Sequence, residues 1–254
     1  MKIRILGIDF CTDGPGIPGR LGEGGLLVAP SGPGLACDLP TNDAYRRALC
    51  AADWVIPDSG LMVLVWSGLR LFTGGAPVKR YSGLRLLREV LPLPEVRKAG
   101  ASFWIMPSLD EQERNLRWLR ANGFPELSED DCYLAPLYRT NPDGSVHDET
   151  LLAQIESRHP QVIFVNVGGG VQEQLGWYLR QKLSYKPAIL CTGAAIAFLT
   201  GGQAEIPPWA DRLYLGWLLR IFENPAKFGR RYWASIRLVW EMIRFRDRMP
   251  ASDS

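Results

Sequence analysis

The chain has 254 residues, 46% hydrophobic and 22% charged, with 26 glycines, 19 prolines and a net charge of +2. That is enough apolar material for a sizeable core in one large domain, or one domain with an appendage, and it excludes a disordered or collagen-like chain. Five scattered cysteines without a C-x-x-C spacing, and only two histidines (His147 and His159), argue for a reducing compartment and against a zinc site.

The elements run as follows. Met1 to Gly7 reads as a short strand, too short and too little apolar for a secretory signal. Residues 11–40 are rich in Gly and Pro and predict loops, interrupted by a buried strand at Gly24 to Ala29. Thr41 or Asn42 caps a helix through Ala51. Trp54 to Pro57 is a short strand, and an apolar helix follows at Leu61 to Leu71. A helix is expected over Gly83 to Val90, a strand over Ala101 to Met106 and a charged helix over Asp110 to Asn122. Asp131 to Pro136 is a strand, Asn141 to Gly144 a turn, and Asp148 to Arg158 a helix closed by Pro160.

Val162 to Val167 is the clearest buried strand. Three glycines and a helix from Gln172 to Lys182 follow it. Ala188 to Cys191 is another strand, leading through Thr192-Gly193 into a helix. Short apolar strands alternating with helices imply a mainly parallel sheet covered on both faces. Ligands of such sheets bind outside the carboxyl ends of the strands. This brings the loops after Ala29, Pro57, Met106, Val167 and Cys191 to one edge. No run of 18 apolar residues occurs, so no membrane-spanning helix is expected.

Three features at that edge could do chemistry. Gly168-Gly169-Gly170 either brings backbone N–H groups close to a diphosphate or simply makes a tight turn. It lacks the spacing of a dinucleotide loop or a P-loop, which counts against a nicotinamide-dependent oxidoreductase. Gln172-Glu173 opens a helix, where acid is favoured by the dipole, or else binds the hydroxyls of a sugar. Asp58 follows a strand and is placed as a general base or as the cap of the next helix.

The charge is uneven. Between Arg220 and Arg248 eight basic residues meet three acidic ones, so this stretch carries +5 and the remainder −3. Read as a helix, Phe228, Tyr232, Ile236, Val239 and Ile243 line one face and Arg230, Arg237 and Arg244 another. Trp233 and Trp240 lie between them. Such a helix either packs its apolar face on the body or lies in a membrane interface, and the tryptophans beside seven-spaced arginines favour the interface. Nucleic acid is not expected, because the rest of the chain has no matching basic surface.

The chain resembles the WecG/TagA/CpsF family of bacterial glycosyltransferases from about Leu27 to Tyr232. The pieces that carry the likeness are Ala52 to Gly60, Arg80-Tyr81-Ser82-Gly83, Val165 to Glu173, Cys191 to Gly201, and a tail running from Pro208-Trp209 through Leu215 to Arg220 and Asn224 to Tyr232. The resemblance implies a Rossmann-like α/β catalytic domain over 1–206 and a basic helical appendage over 207–254. It implies transfer of a sugar, with inversion and without metal or other cofactor, from a UDP-sugar to a polyprenyl-diphosphate-linked saccharide. The enzyme would work peripherally on the cytoplasmic face of the membrane, in cell-envelope polysaccharide synthesis, with self-association open. Carried over residue by residue, Asp58 is the base. Ser31, Arg80, Gly168, Gly169, Gly170, Gln172, Glu173 and Gly193 meet the donor. Arg220, Lys227, Arg230 and Arg231 hold the acceptor diphosphate. Ala29-Pro30-Ser31 and Gly168 to Val171 depart from the family pattern. They support a second reading, a UDP-sugar-binding protein with little or no transfer.

Overall fold

The computed structural model describes residues 2–138, 145–203, 214 and 225–251, with residues 225–234 described by their backbone alone. The predicted turn at Asn141 to Gly144 lies outside them.

Eight strands form one sheet: β1 (Lys2–Ile5), β2 (Ile8–Cys11), β3 (Gly25–Val28), β4 (Trp54–Val55), β5 (Ser102–Met106), β6 (Cys132–Leu134), β7 (Val162–Val165) and β8 (Ala188–Cys191). Their order is β1-β2-β4-β3-β8-β7-β5-β6. Every pair is parallel except the β1–β2 hairpin at one edge. The expected α/β architecture is therefore present. The helices are α1 (Leu39–Thr41), α2 (Asp43–Ala51), α3 (Gly60–Phe72), α4 (Gly83–Val90), α5 (Pro94–Arg97), α6 (Leu109–Ala121), α7 (Glu149–Arg158), α8 (Val171–Lys182) and α9 (Pro225–Phe245).

Burial explains the strand sequences. β3, β5, β7 and β8 are buried at every position, so they read as unbroken apolar runs. Successive residues still point to opposite faces. Ile163 and Val165 join Leu26, Val28, Ile189 and Cys191 in a core covered by α2, α3, α7, α8 and α9. Val162 and Phe164 join Leu27, Leu190 and Trp104 in a second core under α4, α5 and α6. α8 comes close to the sheet at Gly176, where a Cβ would lie 2.5 Å from the Cys191 sulfur.

Two segments differ from the sequence reading. β2 falls partly inside the stretch expected to be loop, joined to β1 by Leu6 and Gly7, both at positive φ as a two-residue hairpin turn requires. On α9 the body meets a face that the sequence reading did not single out. Leu238 and Met242 are fully buried, with Ser235 and Glu241 beside them, whereas Ile236, Trp240 and Ile243 are exposed. The helix sits on α3 and on the Gly34–Asp38 turn. Beyond it, Leu6 N–H donates to Arg246 O (2.7 Å) and Gly7 N–H to Asp247 O (3.0 Å).

Candidate active site at the carboxyl edge of the sheet

The loop after β3 turns onto one face of the sheet, burying Leu35 and Leu39 in the first core. The turn after β8 goes to the other face, burying Ile196 in the second. β3 and β8 are neighbours, so a crevice opens between them where the connections part. Three elements meet there: a Cβ on Gly83 would lie 3.5 Å from Thr192 Cβ and 3.6 Å from Ala29 Cβ.

Asp58 stands beside this crevice, three residues past β4. It does not cap α3: the Ser59 hydroxyl does, accepting from Met62 N–H at 3.3 Å. Asp58 Oδ1 instead accepts from Gly83 N–H, in the first turn of α4, at 3.0 Å. The N-terminus of α4, the positive end of its dipole, thus faces the Asp58 side chain. Arg80 Nε donates to the Asp58 carbonyl (2.6 Å), and its guanidinium lies 3.6 Å from Oδ1. The second carboxylate oxygen accepts no hydrogen bond among the described residues, and the side chain is 29% exposed. One oxygen is anchored and the other has no partner among the described residues, an arrangement in which a carboxylate can take a proton from a ligand. Tyr214 lies over this corner: Arg80 N–H donates to its hydroxyl at 3.4 Å, and its carbonyl lies against Gly60.

The glycine turn after β7 is asymmetric. Gly168 is exposed, and a Cβ there would meet nothing. Gly170 needs to be glycine, with φ at +90° and Asp38 Oδ2 3.0 Å from the place of a Cβ. Its N–H donates to Glu173 Oε2 at 2.8 Å, and Gln172 Nε2 donates to Glu173 Oε1 at 3.0 Å. Glu173 is thus wholly inside, closing the N-terminus of α8 rather than facing the crevice. Burial pushes its carboxyl up to about 7. Its hydrogen bonds pull the other way, and the Asp38 charge adds to the rise. The Gln172 amide lies against Gly193, about 3.2 Å from the position of a Cβ there.

Ser31 is half-buried, its hydroxyl accepting from Gly34 N–H at 3.2 Å. The adjacent Gly32 faces Ser59 Oγ and, from α9, Ser235 Oγ. The C-terminal helix therefore borders the same edge. Of the proposed acceptor residues, Arg220 lies outside the described residues. Lys227, Arg230 and Arg231 fall in the first two turns of α9, and their side chains are likewise outside the description. Among the described residues no three His, Cys, Asp or Glu side chains gather as metal ligands do.

Sequence reasoning missed the Gly83 N–H as partner of Asp58, and it passed over Asn166, Thr192 and Tyr214. A polar residue directly after a buried strand was the available signal for Asn166 and Thr192.

An open, doubly wound sheet with an acid and an arginine at its switch point defines the class, an α/β protein with a strand-end site. A family model, the glycosyl transferase WecG/TagA/CpsF family, matches residues 19–251. The chain belongs to this family, and the expectation of a glycosyltransferase is met. Two curated relatives carry the name N-acetylglucosaminyldiphosphoundecaprenol N-acetyl-beta-D-mannosaminyltransferase. The one from Bacillus spizizenii (strain ATCC 23059 / NRRL B-14472 / W23) is 23% identical over 216 residues, covering 81% of this chain and 74% of the relative. The one from Bacillus subtilis (strain 168) is 23% identical over 207 residues, covering 81% and 75%.

Proposed function

We propose that this protein moves a sugar from a UDP-sugar to a polyprenyl-diphosphate-linked saccharide, with inversion, without a metal, at the cytoplasmic face of the membrane. The observation that carries this reading is Asp58, partly exposed beside the crevice, with one oxygen anchored by Gly83 and Arg80 and no partner for the other among the described residues. The relatives' name gives an undecaprenyl-diphosphate-linked N-acetylglucosamine as their acceptor, and an acceptor of that chemistry is assigned here.

In this reading Asp58 takes the proton of the acceptor hydroxyl as its oxygen attacks the anomeric carbon. The bond from that carbon to the UDP oxygen breaks on the opposite face, and UDP leaves with the electron pair. A single displacement of this kind inverts the centre. Charge on the leaving diphosphate is met by Arg80 and by N–H groups of the glycine turn. Gln172, Gly193 and Ser31 line the donor side. Glu173 acts one step back, by holding Gly170 in place. Residues 1–206 are the catalytic part and 207–254 the membrane-facing part. There Lys227, Arg230, Arg231 and Arg220 take the acceptor diphosphate. The stripe of Ile236, Trp240 and Ile243, with the Arg244 guanidinium 4.8 Å over the Trp240 ring, suits a lipid interface.

The test is Asp58→Asn. UDP binding by calorimetry should survive, while transfer to a lipid-linked acceptor falls on the order of 10²–10⁴-fold. Retained transfer, or loss of UDP binding, would reject the assignment of Asp58.

A further inference from the structure

Among the described residues, the buried Asn166 Oδ1, Thr192 Oγ1 and Gln172 Oε1 at the ends of β7 and β8 have no hydrogen-bond partner. All three residues are more than nine-tenths buried. Buried polar atoms are nearly always paired, so three together call for a cause. They are also neighbours in the fold. Val165 pairs with Cys191 in the parallel register, so Asn166 and Thr192 are the next residues on adjacent strands. The Gln172 amide lies against Gly193, the residue after Thr192.

The orientation of both amides is fixed by what their other ends touch. Gln172 Nε2 donates to a Glu173 oxygen, which leaves the carbonyl oxygen unpaired. The Asn166 amide nitrogen lies 3.8 Å from the Met106 sulfur, a weak acceptor. Turning the amide over would set oxygen against sulfur, so Oδ1 is the unpaired end. The cluster therefore presents two carbonyl oxygens and one hydroxyl. Two of its three groups only accept hydrogen bonds, the Thr192 hydroxyl can accept or donate, and none carries positive charge, so the cluster suits the O–H or N–H groups of a neutral ligand better than a phosphate or a carboxylate.

Position selects the part of the ligand. Thr192 packs beside Gly83, whose N–H holds Asp58 Oδ1. Resting on the donor assignment above, we infer that Asn166, Thr192 and Gln172 form the subsite for the transferred sugar, reading its hydroxyl or acetamido N–H groups. The nucleotide diphosphate lies outside this subsite, toward the glycine turn. Asn166 and Thr192 are then specificity-determining residues of the transfer.

The test uses the full-length protein and two variants, Thr192→Val and Asn166→Ala. Thr192→Val keeps the shape and removes the hydroxyl. Calorimetry is run with UDP and with UDP-N-acetylmannosamine, and thermal melting with and without the latter. Each variant should bind UDP as the wild type does and bind the UDP-sugar about tenfold more weakly. The melting temperature of unliganded Thr192→Val should hold or rise, because the atom it loses has no protein partner. Unchanged UDP-sugar affinity would overturn the inference, leaving only buried water on these atoms. An equal loss for UDP and UDP-sugar would overturn it too, by placing the nucleotide there. Should the wild type bind no UDP, the donor reading fails by itself. Saturation-transfer NMR with free N-acetylmannosamine then decides the subsite: a signal lost in Thr192→Val supports it, and no signal in the wild type ends it.

Discussion

Glu173→Gln gives a quantitative probe of the buried helix start. The wild-type carboxyl is fully buried between Gly170 N–H and the Gln172 amide, and burial raises it from 4.5 to about 7. Between those values the folded protein holds a proton that the unfolded chain has released. The stabilisation is complete below pH 4.5, and it is lost as pH rises through 7. The gap corresponds to about 3 kcal/mol. Gln keeps an acceptor for Gly170 and a polar head for Gln172, and it stays neutral at every pH. Urea unfolding at pH 5, 6, 7 and 8, followed by the fluorescence of the nine tryptophans, reads both proteins. Wild type should lose about 2–3 kcal/mol more than the variant across the range, and the variant should be the more stable at pH 8. Histidine titration is common to both and cancels in the difference. Parallel stability curves for the two proteins would refute the reasoning.

Other expectations follow from packing. Gly176→Ala sets a methyl against the Cys191 sulfur and the Leu26 side chain, 2.5 and 2.8 Å from the Cβ position, and should cost about 1–3 kcal/mol in urea melts. Leu238→Ala empties a fully buried site under α9 and should cost about 2–5 kcal/mol, so deleting the whole tail is a poor test of membrane binding. Trp240→Ser with Ile243→Ser changes only exposed side chains. This pair should leave the melting temperature within a few degrees yet cut flotation with anionic vesicles severalfold. Unchanged flotation would reject the interface role of α9.

Local signals were legible where the structure uses them locally. The helix at Gly83–Val90 has the same bounds as the sequence reading, because Ser82 caps it and Leu86, Leu87 and Val90 repeat on one face. β7 and β8 were plain from their apolar runs. β2 was not, because a four-residue strand next to a Gly- and Pro-rich stretch reads as more loop. α9 shows why a helical stripe does not reveal its partner. It carries two apolar stripes, and in its described part the body takes the one around Leu238 and Met242, leaving Ile236 and Ile243 of the other exposed. At the edge, Asp58 and Arg80 were each marked in the sequence. Their contact was not, because 21 residues, the helix α3 among them, separate them along the chain. Asn166 and Thr192 looked like ordinary loop starts, since only the fold shows that their oxygens are buried and unmatched.

The bonds from Leu6 and Gly7 to Arg246 and Asp247, with Met249 filling the space a Gly7 side chain would take, set a schedule for biosynthesis. The β1–β2 hairpin leaves the ribosome before the helix that clasps it. Until then the first core lacks Leu238 and Met242, and the nascent sheet exposes apolar surface along the seam where α9 will lie. Contacts of this sequence separation close slowly. Docking of the basic, tryptophan-bearing helix therefore follows synthesis of the hairpin, so a chain that has not finished folding has not yet assembled the surface proposed above to meet the membrane.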